Sequence, residues 1–383
     1  QVKVLDAEQK PISGQVELRY RLNSLSITKQ GALATVAATS NGIAYGDFDQ
    51  DGNGDLVLAN GATPALSVSY GTGDFNFPRV QFAGINDNYG LLKVAEIDGI
   101  AGPDIVVGNT GHVDYYPGKT APPNPVSWMT VNGAGDVAVG DLDNDGRLDV
   151  LVIPRDPGTV LGFTYNAQTD AFDATLPNVF AQTTQGTRAA VDDLNGDGFG
   201  DIVIGTQPTG PFVRCVGQSK APSFSCATPP LAIDGGAPHR LGTVIASADK
   251  KRLLVATTTL SSSGALVVLS TDAANTITAT THDVFAEAPR VLALEDINCD
   301  GLKDIIVYLG KKNELRVYAN LGDGSFSKTA ELLNLGLTLG GGMTDDVIQV
   351  AVGDLDRDAL PDVAVLQTTA NVASGTLYRN TGN

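Results

Sequence analysis

Residues 139–153 read VGDLDNDGRLDVLVI, with four aspartates, Asp141, Asp143, Asp145 and Asp149, held within nine positions between two apolar runs. Val, Leu and Ile in short runs on either side of an Asp, Asn and Gly cluster are the pattern of two strands joined by a tight loop. Like charges packed so closely repel one another unless something neutralises them. The charge therefore has a local use.

The same pattern recurs along the chain. It appears as YGDFDQDGNGDLVLAN from 45, VAEIDGIAGPDIVVGN from 94, VDDLNGDGFGDIVIG from 191, LEDINCDGLKDIIVY from 294 and VGDLDRDALPDVAVL from 352. The first acidic positions, 47, 96, 141, 193, 296 and 354, are 45 to 58 residues apart except for one double step of 103. In that gap VIASADKKRLLVATTT, at 244–259, keeps both apolar runs and has lost the acidic loop, so the repeats number seven. About 30 residues into several repeats a second turn signal precedes or surrounds an aromatic: GTGDFNF at Phe75, QTDAFDA at Phe172, KAPSFSC at Phe224 and LGDGSFS at Phe326. Two hairpins per repeat and no helical period predict an all-β, seven-bladed β-propeller with four-stranded blades over residues 23–383. The final LYRNTGN resembles VYANLGD at 317–323 but lacks a following Phe-bearing strand. SLSIT at 24–28 stands at the right offset to be that strand, so the N-terminal strand is expected to complete the last blade. Residues 1–22 read as two short strands around KPISG and as the possible end of a preceding β-sandwich module or a linker.

Within each loop, oxygen-bearing side chains at positions 1, 3, 5 and 9 and a backbone carbonyl at position 7 can converge on a hard cation. Glycine at position 6 supplies the left-handed turn this requires. The candidate sets are Asp47, Asp49, Asp51, Asn53 and Asp55; Asp141, Asp143, Asp145, Arg147 and Asp149; Asp193, Asn195, Asp197, Phe199 and Asp201; Asp296, Asn298, Asp300, Leu302 and Asp304; and Asp354, Asp356, Asp358, Leu360 and Asp362. An all-oxygen donor set favours Ca²⁺ over zinc, and the flexible spacing favours it over Mg²⁺. About five structural Ca²⁺ sites are expected. The last set has Ala359 where glycine is expected, at a cost of about 1 kcal/mol. The second repeat, with Glu96, Asp98 and Asp104 but Ile100 at position 5, is expected to bind weakly or not at all.

In these loops the chain resembles FG-GAP or VCBS repeat proteins, whose best-known members are the propellers of integrin α-subunits. The resemblance spans roughly residues 24–383. It implies seven blades, Ca²⁺ loops between the first and second strands on one face, and an extracellular or cell-surface setting. Clear FG and GAP motifs are missing from most repeats.

The bulk composition agrees with this reading. Forty-three acidic against 25 basic residues give a net charge of −18, which disfavours nucleic acid as a partner. No apolar run reaches the roughly 18 to 20 residues of a membrane span, so no direct membrane insertion is expected. Cys215 and Cys226 are close enough to be bridged across a hairpin, which would suit an oxidising compartment, or they are two free thiols. Cys299 reads as an exposed, variable loop position.

Residues five to seven positions before the loops, Asn41, Tyr89, Asp136, Arg188, Arg240, Arg290 and Asp346, are expected around the opposite face. Arg188, Arg240 and Arg290 there form a candidate basic arc for a carboxylate or sulfate, and Tyr89 is a further candidate ligand-binding residue. The three histidines show no zinc spacing, and no GxSxG occurs, so an enzyme is not expected. The expected function is an adhesion or protein-recognition module within a longer multidomain chain, with a glycan-binding lectin as the alternative and a Ca²⁺-assisted polysaccharide lyase as the least favoured reading.

Overall fold

The computed structural model describes residues 25–33, 36–37, 40–61, 65–83, 91–108, 111–118, 126–130, 134–154, 158–182, 185–207, 213–218, 223–227, 244–246, 253–259, 264–271, 277–287, 289–310, 312, 314–333, 347–369 and 372–382. Among them there is no helix, and so none long and apolar enough to cross a membrane.

The strands in chain order begin with β1 (Ile27–Leu33). They continue as β2 (Ser40–Gly46), β3 (Asp55–Asn60), β4 (Leu66–Tyr70) and β5 (Arg79–Ala83), then β6 (Leu91–Ala95), β7 (Asp104–Gly108), β8 (His112–Tyr116) and β9 (Val126–Thr130). Next come β10 (Ala134–Gly140), β11 (Asp149–Pro154), β12 (Gly158–Asn166) and β13 (Ala171–Gln182), followed by β14 (Gln185–Asp192), β15 (Asp201–Gln207), β16 (Val213–Gly217) and β17 (Phe224–Ala227). The rest are β18 (Val244–Ala246), β19 (Leu253–Thr259), β20 (Gly264–Thr271) and β21 (Ile277–Phe285); β22 (Arg290–Glu295), β23 (Asp304–Leu309), β24 (Glu314–Tyr318) and β25 (Glu331–Leu333); and β26 (Val347–Gly353), β27 (Asp362–Thr369) and β28 (Val372–Asn380). They form seven four-stranded antiparallel sheets among the described residues. Six are simple meanders of consecutive strands. The seventh has the order β1-β28-β27-β26, so the first strand of the chain pairs with the last.

The second strand of a sheet is the most apolar, and the reason is its position. DLVLAN in β3, DVLVIP in β11 and DIIVYL in β23 are buried along their whole length, because both faces of the strand meet a neighbouring sheet. Side chains from consecutive sheets form one core between them. Val113 and Tyr115 of the second sheet meet Val150, Phe163 and Tyr165 of the third. Tyr115 packs edge-on against Phe172 and Tyr165, at centroid distances of 5.1 and 6.4 Å. Leu33, Leu366 and Leu377 of the seventh sheet pack with Ile43, Leu56 and Leu58 of the first, and Thr368 Oγ1 donates to Ser40 O across the same boundary. Fourth strands carry the weakest pattern, as in β1, whose burial alternates poorly.

The repeat without an acidic loop is a sheet like the others, β18 to β21, placed where the spacing required one. The N-terminal strand differs from expectation in extent. It runs Ile27–Leu33 rather than 24–28, with Ile27 opposite Asn380 and Leu33 opposite Gly375. Residues 1–22 lie outside the described residues.

Cys215 and Cys226 face each other on β16 and β17 and are joined by a disulfide. Their separation of 11 residues closes a short loop, for which chain entropy gives about 2 to 3 kcal/mol of stabilisation. Reduction, or the Cys215→Ser/Cys226→Ser pair, should therefore lower the denaturant midpoint without loss of β structure. Midpoints measured with and without reductant, alongside circular dichroism, check this.

Candidate cation-binding loops

Each acidic loop joins the first strand of its sheet to the second, and its ninth residue is the first residue of that second strand. Asp55, Asp104, Asp149, Asp201, Asp304 and Asp362 occupy this place, and none is more than 1% exposed. Their carboxylates act as staples. In the third loop Asp149 Oδ2 accepts from Leu142 N at 2.7 Å, and Oδ1 accepts from Tyr165 N, at the end of the third strand, at 2.9 Å. The first loop repeats this with Phe48 N and Gly71 N, the second with Ile97 N and Gly118 N, and the seventh with Leu355 N and Asn380 N. Asp201 and Asp304 take the third-strand bond from Gly217 N and Asn320 N. The residue at position 2, Phe48, Ile97, Leu142, Leu194, Ile297 or Leu355, is a buried apolar plug, and in the first, second, third and seventh loops its backbone N–H donates to the staple.

The remainder of the loop curls over this staple. Asp141 accepts from Asp145 N and Gly146 N, and Asp145 Oδ1 from Arg147 N. Equivalent bonds form in the first, fourth, sixth and seventh loops. Position 6 is left-handed, with φ of 82° at Gly52, 88° at Gly146 and Gly198, 81° at Gly301 and 67° at Ala359. Position 4 is left-handed as well, at Gln50, Gly99, Asn144, Gly196, Cys299 and Arg357. The sequence reading missed this second turn.

Position 4 also reaches sideways. Gln50 Nε2 donates to Ala101 O in the second loop, and Cys299 Sγ lies 3.8 Å from Ala359 O in the seventh. Cys299 is thus a half-buried contact between loops rather than an exposed variable position. Gly200 is needed for the same close approach: a Cβ there would collide with the carbonyl oxygen of Asp141 in the preceding loop.

In the first, third and seventh loops the carboxylates at positions 1, 3 and 9 bring one oxygen each within 4.8 Å of one another. So do Glu96, Asp98 and Asp104, and the second loop keeps the convergent triad despite exposing Ile100 at position 5. In the fourth and sixth loops position 3 is Asn195 or Asn298. Position 5 lies outside the convergent triads, since its carboxylate bonds to position 7. The position 7 residues Asn53, Arg147, Phe199, Leu302 and Leu360 all donate their N–H to it.

These residues fit a hard divalent cation. Asp49 Oδ1 and Asn53 Oδ1 are buried without a hydrogen-bond donor, a costly condition that a cation would relieve. Burial pushes the carboxyls of Asp55, Asp149, Asp304 and Asp362 up to about 7 and that of Asp201 up to about 6, with the backbone N–H bonds offsetting part of the effect. Protein cations meet some carboxylates directly. Arg79, stacked over Tyr70 at 3.7 Å, pairs with Asp49 through Oδ2; Arg214 Nη2 lies 3.5 Å from Asp201 Oδ2; and Arg379 reaches both Asp356 and Asp358.

The opposite end of the sheets is less fully described. Arg188 lies on β14 at a register shift, and Arg290 is the first residue of β22. Tyr89, Arg240 and Asp346 lie outside the described residues. Asp136 is 1% exposed and accepts from Ala189 N at 3.0 Å, so its carboxylate is spent on the backbone of the adjacent sheet.

Comparison with known proteins places this geometry. Residues 141–204 and 296–365 match the FG-GAP-like repeat, and the chain carries such repeats on a β-propeller. No curated protein sequence matches it. Among solved structures, the Dos1 propeller aligns with a TM-score of 0.54 at 9% identity, covering 93% of this chain and 95% of that one. An Agrocybe aegerita lectin that specifically recognises non-reducing terminal N-acetylglucosamine aligns with a TM-score of 0.51 at 18% identity, over 78% of this chain and 80% of the lectin. BBS1N, solved in complex with ARL6DN, aligns with a TM-score of 0.50 at 13% identity, over 93% of this chain and 98% of that one.

Two outcomes follow from the loop geometry. A metal-free carboxyl with a raised folded pKa stabilises the fold when protonated, and that contribution is lost as pH rises through about 7. A bound cation requires the ionised form, so its contribution grows over the same range. The difference in melting temperature between Ca²⁺-loaded and metal-free protein should widen from pH 5 to pH 8, as measured by scanning calorimetry after exhaustive chelation and dialysis. Ala359→Gly should relieve the left-handed alanine and raise stability by about 0.5 to 1 kcal/mol, whereas Gly146→Ala should lower it by about 1 kcal/mol. Chemical denaturation of both variants checks the pair.

Proposed function

We propose that this FG-GAP-repeat chain is a closed seven-bladed propeller whose acidic loops hold structural Ca²⁺, and that it serves outside the cell as a non-catalytic recognition or adhesion module. The observation that carries this reading is the repeated loop, with a buried aspartate staple at the head of the second strand in six sheets and convergent carboxylates above it in four of them. The chemistry of the repeated loops is spent on holding strands together, which leaves the other end of the sheets as the surface for a partner. Closure is supported by the pairing of β1 with β28 and by the shared core of the first and seventh sheets. The extracellular setting is supported by the disulfide and by the millimolar Ca²⁺ such loops would meet there.

The partner is a protein, engaged at the face opposite the loops. The proposed contact is the basic arc of Arg188, Arg240 and Arg290, and Tyr89 is a further proposed ligand-binding residue. A glycan ligand is the second reading, and it is favoured by the likeness to the Agrocybe aegerita lectin. A glycan array probed with Ca²⁺-loaded protein separates them: binding to several related sugars supports the lectin, and a blank array supports a protein partner. In a pull-down from cell-surface proteins, the triple variant Arg188→Glu/Arg240→Glu/Arg290→Glu should retain at least about tenfold less of the captured partner than the wild type. Equal capture by the two would overturn the arc.

A further inference from the structure

The seventh loop is neutralised differently from the others. Arg379 Nε lies 2.6 Å from Asp356 Oδ2, and its Nη2 donates to Asp358 Oδ2 at 3.0 Å. The other two oxygens of this pair accept from within the loop, Asp356 Oδ1 from Asp358 N and Asp358 Oδ1 from Leu360 N. One guanidinium therefore holds the free oxygens of positions 3 and 5 together. The first loop makes a different use of its arginine, since Arg79 takes one oxygen of Asp49 and leaves Oδ1 buried and undonated. In the third loop Arg147 pairs with Asp145 and leaves position 3 to the loop itself, where Asp143 Oδ1 accepts from Asp145 N.

Arg379 is fixed in this place by the fold. Its neighbour Asn380 donates its backbone N–H to Asp362 Oδ1, the third-strand bond of the staple. The residues that precede the corresponding donor in the other loops are Tyr70, Pro117, Thr164, Val216 and Ala319. Among these six loops, only the seventh has a cation there. Arg379 also stands opposite Thr28, within the sheet built from both the first and the last strand.

We propose that Arg379 is a resident counter-cation of the seventh loop, which keeps the sheet joining the first and last strands closed when Ca²⁺ is scarce and makes this loop a weak Ca²⁺ site. This rests on the reading of the loops as Ca²⁺ sites. For an ion to reach Asp356 and Asp358, the guanidinium must release them, so its charge opposes entry. The loop's left-handed alanine, Ala359, fits the same picture, since strain tolerated by an internally held loop needs no ion to offset it.

Tyr45 provides the probe. Its hydroxyl donates to Asp354 O at 3.4 Å and its ring also lies against Gly54 of the first loop, so it sensitises Tb³⁺ luminescence from both loops, and the Asp356 variant below isolates the seventh. In the full chelated chain, Arg379→Gln should lower the Tb³⁺ half-saturation concentration of the Tyr45-sensitised signal about tenfold. That gain should disappear in Arg379→Gln/Asp356→Asn. Arg379→Gln should also lower the melting temperature in chelator and recover wild-type melting in excess Ca²⁺, while Arg379→Lys, which keeps the charge, stays close to wild type in both. An unchanged or higher half-saturation, or an equal loss of melting temperature with and without Ca²⁺, would overturn the proposal alone. Absence of any Tb³⁺ signal from wild type and variants would overturn the Ca²⁺ reading, and the proposal with it.

Discussion

A buried carboxylate at the head of the second strand is the constraint on which the sheets depend. In six of the seven, an aspartate with almost no exposed surface receives backbone N–H groups from the adjoining loop, from the end of the third strand, or from both. A charge in such a place is tolerated only if it is fully hydrogen-bonded, paired or metal-bound. The acidic loop therefore answers to the core. It begins with an apolar plug, places its amides against the carboxylate and gathers further oxygens above it. The same atoms that close the sheet are the ones that a cation would share.

The fifth sheet shows what happens without this device. It keeps the strand pairing and the intersheet core, with Leu266 and Phe285 packed against Leu294 and Ile305 of the next sheet. It also shares a polar contact with that sheet, where Asp283 on β21 receives the Tyr318 hydroxyl and lies 3.6 Å from Arg316. Apolar burial carries the architecture there, and the acidic loop is an addition to it. The position 4 contacts act differently, because they tie one loop to the next and give neighbouring sheets a shared boundary at that end.

Much of this was legible in the sequence because it is local. Ligand spacing, the glycine turn and the apolar second strand all fall within about fifteen residues, and six copies of the loop removed the ambiguity of any single one. The left-handed position 4 was hidden because its occupants, Gln50, Asn144, Cys299 and Arg357 among them, share no side-chain chemistry. Arg79 and Arg379 were hidden for another reason: each arrives from a strand 23 to 30 residues away, and only the register brings it to the loop. The first strand was placed too early because ITKQGAL is an outer strand with exposed polar residues, and its pairing to β28 leaves little apolar signal to read. Asp136 was placed around the opposite face on spacing alone, and spacing could not show that its carboxylate binds the backbone of the adjacent sheet.

The pairing of β1 with β28 also has a mechanical side. Ile27 stands opposite Asn380, and the bond from Thr381 N to Ser26 O lies just outside them, so the two strands leave the ladder at the same end. Tension applied through the flanking chain would load the hydrogen bonds one after another, as in opening a zipper, and never all together as in shear. Such a load would fall on the rungs of this sheet before it reached the meander sheets beside it.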